Sequence, residues 1–345
     1  MKIDRVHFYV EDARATRDWF VDKLGFQAIT RSPSSIHTCT EVVKSGAVYF
    51  VLSSPLTPLS PVAQFLLQHP PGVADIAILV EDVSASLTRA TRHGAKVLQP
   101  IQQHQQGKQC LKSTKIAAWG SLTHTLIERH SCFGESPAPT ANTFIDIDHI
   151  VLNVAAGDLE RVVAWYKNTL DFQSKQTFKI RTDNSALHSQ VMVSPNRQVQ
   201  LAINEPASAN SQIQEFLDVN RGPGIQHIAL QTPDIVPSVA HLRDCGLSLL
   251  SIPPSYYTAL QHRQGLPLSA VELQEIAQQQ ILVDWDETTP HALLLQTFTQ
   301  PIFGQPTFFF ELIERRSQAR GFGEGNFRAL FEAIEREQMK RGTLQ

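Results

Sequence analysis

Residues 3–26 read IDRVHFYVEDARATRDWFVDKLGF, and residues 147–172 read IDHIVLNVAAGDLERVVAWYKNTLDF. One grammar is written twice: a short apolar segment of period two, an acidic turn, then an amphipathic stretch with helical spacing. Ile3-Asp4 falls on Ile147-Asp148, and Trp19-Phe20 falls on Trp165-Tyr166 after a two-residue insertion. A second pair repeats at an offset of 152, with GVADIAILVEDVSASLTRATRHGAKVL (72–98) over GIQHIALQTPDIVPSVAHLRDCGLSLL (224–250). LIERH (126–130) over LIERR (312–316) makes a third. Each unit closes on a turn residue and another strand, so the chain carries four such modules, two per half. An α+β protein of two tandem halves is expected.

The Pro- and Ser-bearing GESPAPTAN (134–142) reads as the joint, dividing the chain into 1–133, a linker at 134–143, and 144–345. The Gln-rich piece Gln99–Gln109 reads as a solvated loop, and helices are expected near Pro267–Gln280 and from Asn326 to Lys340. A formal charge of −3 argues against a general nucleic-acid footprint. Apolar runs such as Ile76–Val80 fall far short of the ~20 residues of a membrane helix. The opening MKIDRVHFYV is strand-like and shows no signal-peptide core. Cys39, Cys110, Cys132 and Cys245 are scattered, which speaks against a disulfide scaffold or a zinc ribbon. The expectation is a cytoplasmic protein without nucleic-acid or membrane partners.

Laying the halves over each other isolates three positions. His149 stands where the first half has Arg5, His227 where it has Asp75, and Glu311 where it has Thr125. Two imidazoles and a carboxylate from three strands form the facial set that holds a non-haem iron(II) and leaves coordination positions open. Structural zinc would want four closed ligands. A histidine on an apolar strand is more often a hydrogen-bonded core residue. Glu311, directly after Phe308-Phe309-Phe310, could instead pair with Arg315 or Arg316. His7, His124, His188 and His241 read as surface or turn residues.

With these positions in place, the chain resembles the 4-hydroxyphenylpyruvate dioxygenase family of the vicinal-oxygen-chelate superfamily. The resemblance is strongest in LAINEP (201–206), SQIQEFL (211–217), GIQHIAL (224–230), PPSYY (253–257), LLLQTF (293–298) and GFGEGNFRALFEAIEREQ (321–338). It implies βαβββ modules that form open barrels, and a metal-free, structural first half. It implies His149, His227 and Glu311 as Fe(II) ligands. Gln226, Gln296 and Asn326 are implied as catalytic residues. Ser189, Asn204, Gln212, Phe298, Phe309, Phe322 and Phe327 are implied as the substrate lining, and the terminal helix as a gate. Strict alternation points Gln226 away from His227, so that position needs a strand end or a twist. Gly321, Gly323 and Gly325 could equally be a plain helix-entry loop, and their run lacks the βαβ sequel of a nucleotide loop. One departure stands out: Ala202 occupies the position where the family usually has proline.

The implied reaction takes an aromatic 2-oxo acid and dioxygen to homogentisate and carbon dioxide, in a homodimer or homotetramer. Rival readings are 4-hydroxymandelate synthesis, extradiol ring cleavage, and a non-catalytic ligand-binding protein of the same fold.

Overall fold

The computed structural model describes residues 1–29, 35–106, 109–130, 143–182, 184–263, 265–285, 289 and 291–344. The expected linker, apart from Thr143, lies outside the described residues, as does Cys132. The first half runs β1 (Lys2–Tyr9), α1 (Ala13–Leu24), β2 (Gln27–Ile29), β3 (Thr38–Ser45) and β4 (Val48–Pro55). After α2 (Pro61–Gln68) come β5 (Gly72–Leu79), α3 (Val83–Arg92), β6 (Val97–Gln106), β7 (Gln109–Ala117) and β8 (Thr123–His130). The second half repeats the plan with β9 (Asp146–Asn153), α4 (Leu159–Leu170), β10 (Gln173–Arg181), β11 (Ala186–Val193), β12 (Gln200–Pro206) and α5 (Gln212–Asn220). It continues with β13 (Gly224–Gln231), α6 (Ile235–Asp244), α7 (Pro254–His262), α8 (Ala270–Gln278), β14 (Leu282–Trp285), β15 (Leu293–Phe298), β16 (Phe309–Arg315) and α9 (Phe327–Arg341).

Each half is one open eight-stranded sheet, ordered β2-β3-β4-β1-β5-β8-β7-β6 and β10-β11-β12-β9-β13-β16-β15-β14. This is the expected pair of βαβββ modules, joined side by side through β1 and β5, and through β9 and β13. The registers also agree with the sequence overlay. Arg5 stands opposite Ala77 and Thr125 beside Ala77, as His149 stands opposite Ala229 and Glu311 beside Ala229.

The repeated LIER segments have a local purpose. Glu128 accepts the Val83 amide at the first turn of α3, and Glu314 accepts the Ile235 amide at the first turn of α6. Each satisfies an orphan donor at a helix start and puts negative charge on its positive end. The arginine that follows pairs with the aspartate of the opening strand in both halves: Arg129 with Asp4, and Arg315 with Asp148.

One apolar core continues from half to half. Phe8 packs edge-on against Phe308 at 5.1 Å, and Phe50 stacks on Phe310 at 5.7 Å. Each buried phenylalanine contributes roughly 1.5–3 kcal/mol of burial. With Phe308 and Phe310 committed to this core, the two-residue alternation of β16 turns Phe309 and Glu311 to its opposite face.

Two expectations need correction. Gln99–Gln106 is not a loop but most of edge strand β6, and Gln109 begins β7, while residues 107 and 108 lie outside the described residues. A polar edge strand with one wet face carries no apolar periodicity to read. His7, His124 and His188 are strand residues, His188 half-buried in β11, whereas His241 is exposed as expected. His124 is buried, donates from Nδ1 to the Ile76 carbonyl, and accepts from the Tyr166 hydroxyl of the other half at 3.0 Å. In addition, α7 was not anticipated, and α8 is shorter than the stretch expected around it. No helix among the described residues is long and apolar enough to cross a membrane.

Burial pushes His7 down to about 4 and also lowers His124. An unfolded chain takes up protons on both below pH ~6.5, while the folded chain resists. Stability from these neutral imidazoles is therefore complete above pH ~6.5 and drains away as pH falls toward 4, by on the order of 1–3 kcal/mol. Urea midpoints at pH 7.5 and 5 measure the loss. His124→Gln keeps a donor and an acceptor without titrating, so it should flatten part of the slope; an unchanged slope would contradict the assignment.

Candidate metal centre and substrate cavity

Three adjacent strands, β9, β13 and β16, bring His149, His227 and Glu311 together with their ligand atoms all within 4.8 Å of one another. All three are buried, with Glu311 only 2% exposed. Glu311 Oε2 lies 3.2 Å from His149 Nε2 and 3.6 Å from His227 Nε2. Neither arginine that could have paired with Glu311 does so. Arg315 forks onto Asp148 at 2.6 and 2.7 Å, and Arg316 turns to Glu314 and Glu272.

Both imidazoles are held through the other ring nitrogen. His149 donates from Nδ1 to Asp148 at 2.8 Å, and His227 from Nδ1 to the Gln226 side-chain carbonyl at 3.3 Å. Each therefore directs its Nε2 toward the Glu311 carboxylate, as metal-binding histidines direct theirs toward the ion. Burial alone would push the Glu311 carboxyl up, but the imidazoles more than offset this and hold it at about 2. Burial likewise opposes charge on His149, yet Glu311 and Asp148 on either side raise it to about 9. For His227 burial prevails and the shift is downward. The pocket thus attracts one positive charge at the Nε2–carboxylate junction, which a divalent cation satisfies with three ligands. Among the described residues no cysteine joins the cluster, so the donor set fits an open facial site and not closed structural zinc.

The second sheet curls round a cavity lined from β9, β10, β11, β12, β13, β15 and β16, with α9 across it. Every residue expected at the site borders this space: the three ligand residues, Gln226, Gln296 and Asn326, then Ser189, Asn204, Gln212, Phe298, Phe309, Phe322 and Phe327. Gln226 gets there by an irregularity. The β13–β9 register skips between Ile225 and His227, leaving Gln226 as an extra residue beside its neighbour and not behind it. Phe309 stacks on the His227 ring at 4.8 Å, and Phe298 stands edge-on to it at 6.4 Å.

The polar groups fall into two sets. Ser189 and Asn204 face each other across β11 and β12, and Asn204 stands level with Asn153. Asn153 is four residues along β9 from His149, or about 13 Å at strand rise. Gln212, the first residue of α5, keeps its side-chain carbonyl oxygen buried without a partner. Gln296 and Asn326 instead belong with the metal end: Gln296 donates to Glu311 Oε1 at 2.8 Å and accepts from Asn326 at 3.0 Å. Ala202 is buried in the lining with Val151, Val191 and Phe322, and Val193 packs in the same apolar cluster. The sequence reading missed Asp148 and Arg315, although the matched aspartates of the opening strands and arginines of the LIER segments carried that signal.

A family model described as the Glyoxalase/Bleomycin resistance protein/Dioxygenase superfamily matches residues 4–111 and 148–263. The 4-hydroxyphenylpyruvate dioxygenase of Coccidioides posadasii is 36% identical over 99% of this chain and 94% of its own length. That of Yarrowia lipolytica is 37% identical over 99% of this chain and 93% of its own. The chain belongs to the 4-hydroxyphenylpyruvate dioxygenase family. Among solved structures, a triple mutant of 4-hydroxymandelate synthase from Streptomyces coelicolor superposes with a TM-score of 0.85 at 29% identity, covering 98% of both chains. Membership of the dioxygenase family and this vicinal-oxygen-chelate architecture both accord with a metal centre, and His149, His227 and Glu311 form a buried cluster that could hold one.

Proposed function

We propose that this chain converts 4-hydroxyphenylpyruvate and dioxygen to homogentisate and carbon dioxide at an iron(II) centre held by His149, His227 and Glu311. The observation that carries the reading is the cavity itself. A three-ligand metal site opens onto a cavity walled by phenylalanines, whose far end carries Ser189 and Asn204, and the same lining includes the unpartnered Gln212 carbonyl. A para-hydroxylated ring with a three-carbon acid chain suits that span, phenol at the polar end and 2-oxo acid at the metal. Iron(II) is the metal of choice for two imidazoles and one carboxylate with open positions. When bound, it supplies chelation of the 2-oxo acid and activation of dioxygen.

The chain's own residues then orient and exclude. The Gln212 carbonyl accepts a hydrogen bond from the phenol hydroxyl, and Ser189 and Asn204 complete the polar set. Phe298, Phe309 and Phe322 hold the ring in place and present few polar atoms to the oxidant. Phe327 and α9 keep water out. Asp148 and Gln226 fix the imidazoles, while Gln296 occupies one oxygen of Glu311 and leaves Oε2 for the metal.

The first half takes no metal in this reading. Arg5, Asp75 and Thr125 stand at the ligand positions, and Asp75 is already engaged by Thr123, Thr125 and Lys115. One metal per chain follows. Free thiols at Cys39, Cys110 and Cys245 support a reducing, cytoplasmic setting. A homodimer or homotetramer belongs to the same proposal.

Ala202 favours the second reading, 4-hydroxymandelate synthesis. It is smaller than the proline usual in the family and touches the lining, so a looser ring would leave the benzylic carbon open to attack. Chromatography of the products from 4-hydroxyphenylpyruvate, iron(II) and dioxygen decides. We expect homogentisate as the main product with a minor 4-hydroxymandelate peak; 4-hydroxymandelate as the dominant product overturns the proposal.

A further inference from the structure

We propose that Tyr256 and Asn326 are positioning residues for the metal, acting through an unbroken chain of hydrogen bonds that ends on Glu311. This rests on the metal reading above. The backbone amide of Val283 donates to the Tyr256 hydroxyl at 2.8 Å, and that hydroxyl donates to Asn326 Oδ1 at 2.8 Å. Asn326 Nδ2 donates to Gln296 Oε1 at 3.0 Å, and Gln296 Nε2 donates to Glu311 Oε1 at 2.8 Å. Gln296 and Asn326 are 2% and 3% exposed, so water does not compete for these groups.

The polarity of the chain is forced from its end. An ionised carboxylate only accepts, so Gln296 must turn its amide N–H₂ to Glu311 and its carbonyl to Asn326. Asn326 must then present its own N–H₂ to Gln296 and its carbonyl to Tyr256. Tyr256 has one proton, and Asn326 Oδ1 is the acceptor that needs it. The Val283 carbonyl at 3.0 Å is the alternative taker, and it loses by this parity. A tyrosine on α7, the residue before α9, and the amide of β15 thereby fix which Glu311 oxygen is spent on protein and which is left for metal. Because Asn326 opens the helix that covers the cavity, the helix and the ligand carboxylate settle together.

The test is a cobalt(II) titration of the full-length chain, read by the visible d–d absorption of the bound ion, with no turnover required. Tyr256→Phe keeps the ring but deletes the link. It should weaken cobalt binding roughly tenfold, the low end for a residue behind a ligand, and change the band shape. Tyr257→Phe is the matched control. Among the described residues its hydroxyl bonds only the Ile281 carbonyl, at 3.1 Å, so its loss should cost stability without moving the spectrum. Asn326→Asp keeps the shape but sets two acceptors face to face at Gln296. It should also weaken cobalt binding tenfold, and it decides alone should Tyr256→Phe not fold. Wild-type affinity and spectrum in these variants, or an equal shift in Tyr257→Phe, overturns the relay. A parent chain that binds no cobalt overturns the metal reading as well.

Discussion

Glu311→Ala removes the bound metal and lowers kcat at least a hundredfold, while the chain keeps its fold. The carboxylate is the shared partner of both Nε2 atoms, and among the described residues no lysine or arginine pairs with it. Its removal takes away one of three ligands and the charge that draws a cation into a buried, otherwise aromatic pocket. Outer partners of metal ligands commonly cost 10–100-fold in affinity, so loss of a ligand exceeds that range. Folding suffers little. Burying an ionised carboxylate is itself expensive, and β16 stays anchored on its other face by Phe308 and Phe310. Elemental analysis of the purified variant, beside the parent at one metal per chain, measures the effect, and circular dichroism verifies the fold. Stoichiometric metal in Glu311→Ala would remove the residue from the site.

The ligands were legible because the fold is a tandem repeat. Each half serves as the other's control, so His149, His227 and Glu311 stand out against Arg5, Asp75 and Thr125 without any geometry. The same comparison held more than was taken from it. Glu128 and Glu314 close helix starts, and the Asp4–Arg129 pair shows that Asp148–Arg315 belongs to the scaffold, in the second half turned also to holding His149. Gln226 resisted reading because a bulge of one residue breaks the alternation on which strand faces are assigned. Edge strand β6 resisted because glutamines on a half-solvated strand leave no apolar rhythm. The tie from Tyr256 to Glu311 spans separate elements, and nothing local in PPSYY announces a partner 70 residues away.

Gly323→Ala carries the other large effect, through collision and not through chemistry. Gly323 sits in the left-handed region at φ 76°, where any side chain costs roughly 1–2 kcal/mol. A Cβ there would lie 1.9 Å from Gln296 Oε1 and 2.7 Å from its Cδ. A glutamine end can usually swing aside, but this one is fastened to Glu311, the Phe322 carbonyl and Asn326. Making room therefore frees the Glu311 carboxylate and unseats the start of α9 at once. Misplacement by about 1 Å costs on the order of 100-fold in a positioned reaction, and that is the expected fall in kcat. Gly94→Ala separates strain from collision, since Gly94 has φ 82° and nothing within 4 Å of an added Cβ. It should cost a similar 1–2 kcal/mol of stability and leave kcat within about twofold of the parent. Steady-state kinetics and urea midpoints of the two variants make the comparison. If Gly323→Ala loses no more activity than Gly94→Ala, the loop is only an entry to the helix, and the close approach of its backbone to Gln296 has no part in holding the metal ligand.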